Sequence, residues 1–262
     1  MLPYLAVGAT ALVAAGLTLY SGFGLGTLLL PVFALFVPVE LAVAATALVH
    51  GASNALKIAV LGRHADRSLV LRFGIPALLA AFAGAAALGY VAHLEPLASY
   101  RLGSRSAVIT PVKLAMGVLM LAFAAMELMP RLRALRFERR HLLAGGLLSG
   151  FFGGFSGHQG ALRSAFLTKV GISTQAFVGT NAAIGFMVDL ARLATYAGLF
   201  AAGGAGGALG ERWPLVAAGA LAAFAGIFVG QRFLHKVTMH SVQTLTGLLL
   251  AAIALALGAG LI

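Results

Sequence analysis

Long apolar stretches alternate along the chain with short segments that carry most of its charge. A helix needs roughly 20 apolar residues to cross the hydrocarbon core of a bilayer, and several stretches reach that length. The pattern predicts helices at about 3–20, 27–36, 39–61, 68–93, 107–128, 141–152, 160–170, 173–201, 213–233 and 240–261. We therefore predict an all-α polytopic membrane protein with about eight apolar segments in a single membrane domain over 1–262.

Two of the apolar stretches are interrupted by glycine-rich runs, one in each half of the chain. The first run is Ser21–Gly26 and the second is Gly153–Gly160. A break in a membrane helix frees N–H and C=O groups that lipid cannot satisfy, so it survives only where the backbone is buried in protein or lines a polar cavity. Paired breaks in corresponding positions of two halves indicate a transporter binding site. We therefore expect the first unit of each half to be a broken or re-entrant helix.

The charged segments predict how the chain is oriented in the bilayer. Basic residues dominate 62–72, 129–141 and 232–240, whereas 202–212 carries no net charge. The positive-inside rule then places the three basic segments in the cytoplasm and 202–212 outside. The chain can return to the cytoplasmic side after 129–141 only if the broken unit at 141–170 enters and leaves on one face. The same logic places both termini outside.

This orientation makes the two halves inverted copies of each other. Repeat 1 covers about 3–128, the basic cytoplasmic loop 129–141 follows, and repeat 2 covers about 142–262. A short internal match, Ala80–Gly84 with Ala222–Gly226, supports this division. Alignment of the second glycine run with the first also pairs Gly26 with Gly160, Thr46 with Thr180, and Gly51 with Gly185. The shared order of these matches is stronger support than any one of them, because alanine-rich sequences match by chance.

Composition narrows the classes of function. The chain is 61% hydrophobic and 10% charged, has a mean hydropathy of +1.00 and contains no cysteine. These values exclude a soluble fold, a thiol nucleophile and a thiolate metal site. The net charge of +11 lies mostly in the loops, where it sets topology, so we expect no nucleic-acid partner. We expect no cofactor and no metal, and the expected partners are a small anion and the lipid bilayer of the plasma (inner) membrane. A homodimer stays open.

Arg163 is the most informative polar residue. It follows Gly160 by three positions, near the start of a predicted half-helix, where free N–H groups and the helix dipole favour an anion. A guanidinium adds bidentate geometry suited to an oxyanion. The alternative is a structural role, in which Arg163 binds freed backbone carbonyls or pairs with Asp189. We favour the anion.

His158 and Gln159 lie in the second break itself. They donate either to substrate or to loose loop carbonyls; the two interpretations are balanced for His158, and the structural one is favoured for Gln159. A histidine also titrates near physiological pH, so proton coupling through His158 is a further hypothesis. No HExxH motif, cysteine cluster or carboxylate set accompanies it, which argues against metal binding.

Three charged residues lie within predicted helices. Asp189 and Arg192 are three positions apart, so we expect a local ion pair with a structural role rather than direct contact with substrate. Lys57 lies about one turn from the cytoplasmic end of its helix and is expected to extend towards the membrane surface. Together with His50, these residues are candidates for either ion coupling or structure.

Uncharged polar residues also occur in mid-segment. Thr46, Thr180 and Asn181 are expected to form interhelical hydrogen bonds, and their positions about the two breaks raise the expectation that they face a cavity. A weaker polar face is formed by His50, Ser53 and Asn54.

The two glycine-rich motifs and the helices that follow them resemble the TauE/SafE family of anion transporters, also called TSUP. The first motif here is Gly22–Pro31, and the second is Gly157–Phe166 followed by Gly179-Thr180-Asn181. The second motif has Ala165 where the family usually has proline. The resemblance covers nearly the full length. It implies a membrane transporter, not an enzyme, that moves sulfite, thiosulfate, sulfonates and related organic anions, often outward.

We therefore predict a secondary transporter of a small sulfur-containing anion, sulfite first, with export as the expected direction and alternating access as the mechanism. The alternatives are a small-anion channel and a transporter of other organic anions such as carboxylates. A membrane enzyme is a distant third, because no convincing nucleophile and base are present. The predicted substrate-binding residues are Arg163, His158, Gln159, Gly160, Ser164, Gly24, Gly26, Thr46, Thr180 and Asn181.

Overall fold

The computed structural model describes residues 1–17, 24–103, 105–203, 210–233 and 239–262. Its main helices are α1 (Leu2–Leu17), α2 (Leu25–Ala34), α3 (Val39–Leu61), α4 (Arg67–Ala92), α5 (Pro111–Leu128), α6 (Leu142–Ser156), α7 (Gly160–Leu167), α8 (Thr174–Gly203), α9 (Trp213–Phe233) and α10 (Met239–Gly258). Two short strands, β1 (Ala98–Leu102) and β2 (Arg105–Ile109), form an antiparallel hairpin between α4 and α5. The predicted all-α character is confirmed.

Within the described residues, five helices are long and apolar enough to cross a bilayer. They are α3 with its short extension to His64, α4, α5, α8 and α9. The helices α1 and α2 and the Gln243–Gly258 part of α10 are apolar but shorter. A short membrane helix is the expected result when a glycine-rich break divides a span, so α1, α2, α6 and α7 are consistent with two broken units.

The hairpin corrects the predicted start of the fifth helix. We expected a helix from Ala107, but this residue lies in β2 and α5 begins only at Pro111. Proline favours the first turn of a helix because its fixed φ suits that position and its missing N–H is not needed there. Thr110 caps the helix, since its hydroxyl accepts a hydrogen bond from the Lys113 N–H at 3.3 Å. The β-branched pair Val108-Ile109 suits a strand.

The second break contains fewer residues than the predicted run Gly153–Gly160. Helix α6 continues through Gly153 and Gly154 and ends at Ser156. Gly157 follows as the C-cap, and its left-handed φ of 79° is accessible to glycine at little cost. Glycine is needed at position 154 because a side chain there would collide with the backbone of α4 at Ala81. Glycine at this position therefore serves close helix packing, which is its usual role in membrane proteins.

The first break is described only in part. Gly24 precedes α2 with a φ of 118°, a conformation that L side chains rarely adopt. Residues 18–23, which include the Ser21–Phe23 part of the predicted break, lie outside the described residues. The parts of the predicted loops 202–212 and 232–240 at 204–209 and 234–238 also lie outside them.

The main helix contacts follow a pattern in which each has a counterpart in the other half of the chain. Helix α4 packs on α6, and α9 packs on α1; α4 also packs on α8, and α9 on α3. The helices α3 and α8 pack on each other, as do α5 and α10. Exchange of the helices of one half with those of the other reproduces these pairs. The centre of the molecule is therefore the contact between α3 and α8.

Candidate functional site

The two breaks meet at the centre of the molecule. A Cβ atom at Gly26 would lie 3.3 Å from the Gly157 carbonyl oxygen and 3.7 Å from Cδ2 of His50. The half-helices α2 and α7 begin beside this contact, and the first turn of a helix presents N–H groups without helical acceptors. Gly24 and Gly160, predicted as site residues, lie at these two helix starts. The tertiary structure thus unites two motifs that the chain separates by more than half its length.

A polar face of α3 borders this contact. Thr46, His50, Asn54 and Lys57 recur every three or four residues, which places them on one side of the helix. Thr46 is fully buried, Asn54 is 3% exposed and Lys57 is 8% exposed. The face that looked weak in the sequence is therefore the interior face of the helix.

A second polar face, on α8, lies opposite. Asn181, Asp189 and Arg192 are eight and three residues apart, which places them on one side of the helix, and all three are buried. The helices approach closely at two glycines: a Cβ atom at Gly51 would lie 3.4 Å from Cβ of Asp189, and one at Gly185 would lie 2.7 Å from Nδ2 of Asn54. These two glycines are the pair that the internal repeat matched.

Asp189 is the hydrogen-bond centre of the cluster. Its Oδ2 lies 2.7 Å from Nδ1 of His50 and accepts a hydrogen bond from Nδ2 of Asn54 at 3.1 Å. Its Oδ1 accepts from Nη2 and Nε of Arg192 at 2.7 and 3.1 Å. Nε2 of Gln159 donates to the same oxygen at 3.4 Å. The predicted Asp189–Arg192 pair is therefore present, and it extends to α3 and to the second break.

Two nitrogens of the Arg163 guanidinium bind neutral amides. Its Nε donates to Oδ1 of Asn181 at 2.6 Å, and its Nη1 donates to Oε1 of Gln159 at 2.7 Å. The side chain is 1% exposed. Gln159 therefore bridges the guanidinium of Arg163 and the carboxylate of Asp189. Gln159, for which we favoured a structural role, connects the two charged groups.

The cluster contains more positive than negative charge. Arg163, Arg192 and Lys57 are buried here. On the described polar faces of α3 and α8, the carboxylate among them is that of Asp189. Unbalanced charge in a membrane interior is costly and is commonly paired or used in transport. A bound anion would restore the balance.

Several buried polar atoms at this centre have no hydrogen-bond partner in the part of the chain that the structure describes. They are Nη1 of Arg192, Nε2 of His158, Oγ1 of Thr46 and Oγ of Ser53. A Cβ atom at Gly157 would lie 2.7 Å from that Arg192 nitrogen, so the free N–H group adjoins the second break. Buried polar atoms are nearly always satisfied, and these four therefore indicate a place for a polar ligand.

Sequence reasoning gave Arg192 a role only in the local pair and gave Ser53 little weight. The spacing of Ser53 from Thr46 by seven residues, two helical turns, is the signal that places both hydroxyls on one side of α3. No sequence pattern distinguishes Nη1 of Arg192, which has no described partner, from Nε and Nη2, which bind Asp189.

His158 has a different environment from His50. Its ring stacks on Phe123, with centroids 5.1 Å apart and an interplanar angle of 11°. Its Nδ1 lies 3.1 Å from the hydroxyl of Ser156, and the side chain is 1% exposed. The ring is thus oriented by an aromatic contact from α5.

Two predicted site residues have described neighbours outside this cluster. The hydroxyl of Thr180 accepts a hydrogen bond from the Asp66 N–H at 2.9 Å, which ties α8 to the connection between α3 and α4. Ser164 faces a separate cavity of about 530 Å³ together with Ala161 on α7. These neighbours do not place either residue beside Asp189 or Arg192.

This cavity lies between α7 and the basic central loop. Arg133 and Arg136 line it, as does Glu127 from the end of α5. Arg133 also caps α5, because its Nε and Nη2 donate to the Glu127 carbonyl at 3.0 and 2.5 Å. The loop is fastened to α7 by stacking of Phe137 on Phe166, with centroids 4.2 Å apart. The cavity is therefore lined by positive charge on the side of the central loop.

A membrane domain of apolar helices in which two broken units enclose a cationic polar centre is the architecture of a transport protein. The profile of the family described as "Sulfite exporter TauE/SafE" matches residues 4–257, and the chain belongs to this family. No match was found among curated proteins or among solved structures. Members of this family are integral membrane transporters of sulfite and organosulfur anions, so the chain is a transporter and not an enzyme.

Proposed function

We propose that the chain is a secondary transporter that exports a small sulfur-containing anion, with sulfite as the first candidate. The excess of buried positive charge at the meeting point of the two breaks supports this function most directly. A cation would meet Arg163, Arg192 and Lys57 unfavourably, whereas an oxyanion would balance them. The family supports the sulfur-containing class of substrate and the outward direction.

We assign the anion to the space between the half-helix starts and the free nitrogen of Arg192. Backbone N–H groups at Gly24–Gly26 and Gly157–Gly160, together with the guanidinium of Arg163, provide donors suited to an oxyanion. Thr46 Oγ1 is unsatisfied in the described part of the chain and adds a hydroxyl donor. The close approach of Gly26 to Gly157 favours a compact anion over an extended sulfonate.

Alternating access would come from movement of one inverted repeat against the other. The paired helix contacts support a division into two repeats. We propose that the cavity beside Ser164 is the cytoplasmic approach to the site, because it is lined by basic residues of the central loop. Helix α7 separates this cavity from the Arg163 guanidinium, so a shift of α7 would connect them.

Binding of sulfite to purified protein tests the proposal. We expect sulfite to raise the melting temperature, because a ligand at roughly 100 times its dissociation constant adds about 2.7 kcal/mol of stability. Sulfate, thiosulfate, sulfoacetate and acetate complete the panel. Absence of stabilisation by every sulfur-containing anion, with stabilisation by acetate, would overturn the assigned substrate class in favour of carboxylates.

Variants of Arg163 test the site. Arg163→Ala removes a buried charged donor, whose hydrogen bond contributes about 1.5–3 kcal/mol, so affinity for sulfite should fall roughly tenfold to hundredfold. Arg163→Lys keeps the charge but loses the planar fork and should be intermediate. Arg140→Ala is the matched control, since that side chain is 74% exposed. A folded Arg163→Ala protein that binds sulfite as the wild type does would show that the site is wrong.

Flux measurements separate a transporter from a channel. In proteoliposomes, a transporter should show saturation and exchange of labelled for unlabelled sulfite. Uptake that rises linearly with sulfite and lacks exchange would support the channel instead.

A further inference from the structure

We propose that His50 and Asp189 form a proton-binding pair that couples proton binding to anion binding at the site described above. The inference rests on the proposed anion transport and adds the coupling ion. It assigns the proton to Nε2 of His50, and it gives Asp189 the role of orienting the ring.

The contact between the two residues determines which ring nitrogen is free. A carboxylate accepts hydrogen bonds but does not donate them, so the 2.7 Å contact between Nδ1 of His50 and Oδ2 of Asp189 places a proton on Nδ1. The neutral ring therefore has its lone pair on Nε2. A proton from water that binds there leaves the bond to Asp189 intact and converts the ring to the imidazolium.

His50 is also better placed than Asp189 to exchange a proton. The side chain of His50 is 12% exposed and that of Asp189 is 1% exposed. The ring edge that carries Cδ2 lies beside Gly26, because a Cβ atom at Gly26 would be 3.7 Å from that carbon. Since Cδ2 adjoins Nε2 in the ring, the proton site borders the meeting point of the two breaks.

Charge then couples the proton to the anion. The charged groups that face His50 are Asp189 and Arg192 on α8 and Arg163 on α7, with Lys57 further along α3. Among the described residues of the cluster, the positive charges already outnumber the negative charge of Asp189. A proton on His50 adds a further positive charge, and a bound anion offsets it. Binding of either should strengthen binding of the other by the same factor.

The second buried histidine of this region lacks these features. His158 stacks on Phe123, and its Nδ1 is paired with the hydroxyl of Ser156 rather than with a carboxylate. Among the described residues, its ring partners are Phe123 and Ser156, and neither is an acid that would stabilise an imidazolium. The structure assigns proton coupling to His50 rather than to His158.

The test measures anion affinity at two pH values. Thiosulfate and methanesulfonate are the probes, because their charge stays constant between about pH 6 and about pH 8, whereas sulfite itself takes up a proton there. Wild-type protein should bind at least one of them about fivefold or more tightly at the lower pH. Calorimetry in buffers of different ionisation enthalpy should show that protons are taken up on binding.

The diagnostic variant is His50→Asn, which retains an N–H group to donate to Asp189 but cannot titrate. It should bind the probe with equal affinity at both pH values and without proton uptake. His50→Gln is the second variant if the first does not fold. His93→Asn is the control, since that histidine lies at the far end of α4 and bonds to the Gly89 carbonyl. It should keep the pH dependence, and so should His158→Gln, whatever its affinity.

The outcomes separate the two proposals. Wild-type protein that binds neither probe nor sulfite at either pH would overturn the proposed function, and the coupling with it. Binding that is independent of pH would overturn the coupling alone. Proton uptake that persists in folded His50→Asn and disappears in His158→Gln would transfer the role to His158 and overturn the assignment to His50.

Discussion

Asp189 illustrates how single residues acquire their roles at the centre of this protein. Its two oxygens together bind His50, Asn54, Gln159 and Arg192, which come from α3, the second break and α8. Because the carboxylate is occupied in this way, Arg163 has amide partners at its Nε and Nη1. One arginine is thus paired with a carboxylate, while Nε and Nη1 of the other bind neutral amides.

A near-isosteric change at Asn181 tests this distribution of charge. Asn181→Asp would place a carboxylate against Nε of Arg163 and neutralise it, so we expect sulfite affinity to fall at least about tenfold with little loss of melting temperature. Asn181→Ala removes the same amide without adding charge and should weaken binding much less. Equal losses in the two variants would show that the charge of Arg163 is not what binds the anion.

Glycines act on the scale of whole helices. Gly154 on α6 packs against the backbone of α4 at Ala81, and Gly226 on α9 packs against the backbone of α1 at Leu12. Small residues at such contacts let helices approach closely in lipid, where no hydrophobic effect drives association. The hydroxyl of Tyr196 adds a hydrogen bond from α8 to the Gly154 carbonyl.

Alanine substitutions should reveal these contacts. In an open position glycine to alanine favours a helix by about 1 kcal/mol, but Gly154→Ala and Gly226→Ala would force Cβ into backbone and should each cost about 1–3 kcal/mol. Gly198→Ala is the control, because a Cβ atom there meets nothing within 4 Å. Melting temperatures in detergent measure the difference. Stabilisation by all three substitutions would contradict the close packing of α4 on α6 and of α9 on α1.

On the scale of the whole molecule, the helix contacts and the charge distribution point to the same plan. The main contacts between helices occur in pairs that relate the two halves, and the basic segments lie where an inverted arrangement needs cytoplasmic loops. The hairpin β1–β2 belongs to the side that this plan places outside. There Tyr100 donates a hydrogen bond to the Ala259 carbonyl at 2.7 Å, so the hairpin also fastens the end of α10.

Cysteine labelling tests the orientation, since the chain has no native cysteine. Ala134→Cys in the central loop should react only from the cytoplasmic side. Ser99→Cys in the hairpin and Gly210→Cys before α9 should react only from outside, because all three positions are exposed. Reaction of all three from one side would rule out the inverted-repeat topology.

The sequence by itself determined the membrane class, most helix positions and the importance of the two glycine runs. Helix α3 at Val39–Leu61 and α9 at Trp213–Phe233 coincide with the predictions, because apolar length and flanking charge are local properties. Charge and glycine spacing were also sufficient to single out Arg163. The hairpin and the extension of α6 through Gly154 were missed, since both depend on contacts with other helices.

Only the tertiary structure decided how the polar residues are connected. His50 and Asp189 are separated by 139 positions, and no periodicity in the chain links them. Their contact exists because α3 and α8 pack closely at Gly51 and Gly185. A sequence pattern records which face of a helix is polar, but partners are chosen by packing between distant segments. For that reason the candidate site could be proposed from the sequence, whereas its charge balance and its unsatisfied polar atoms could not.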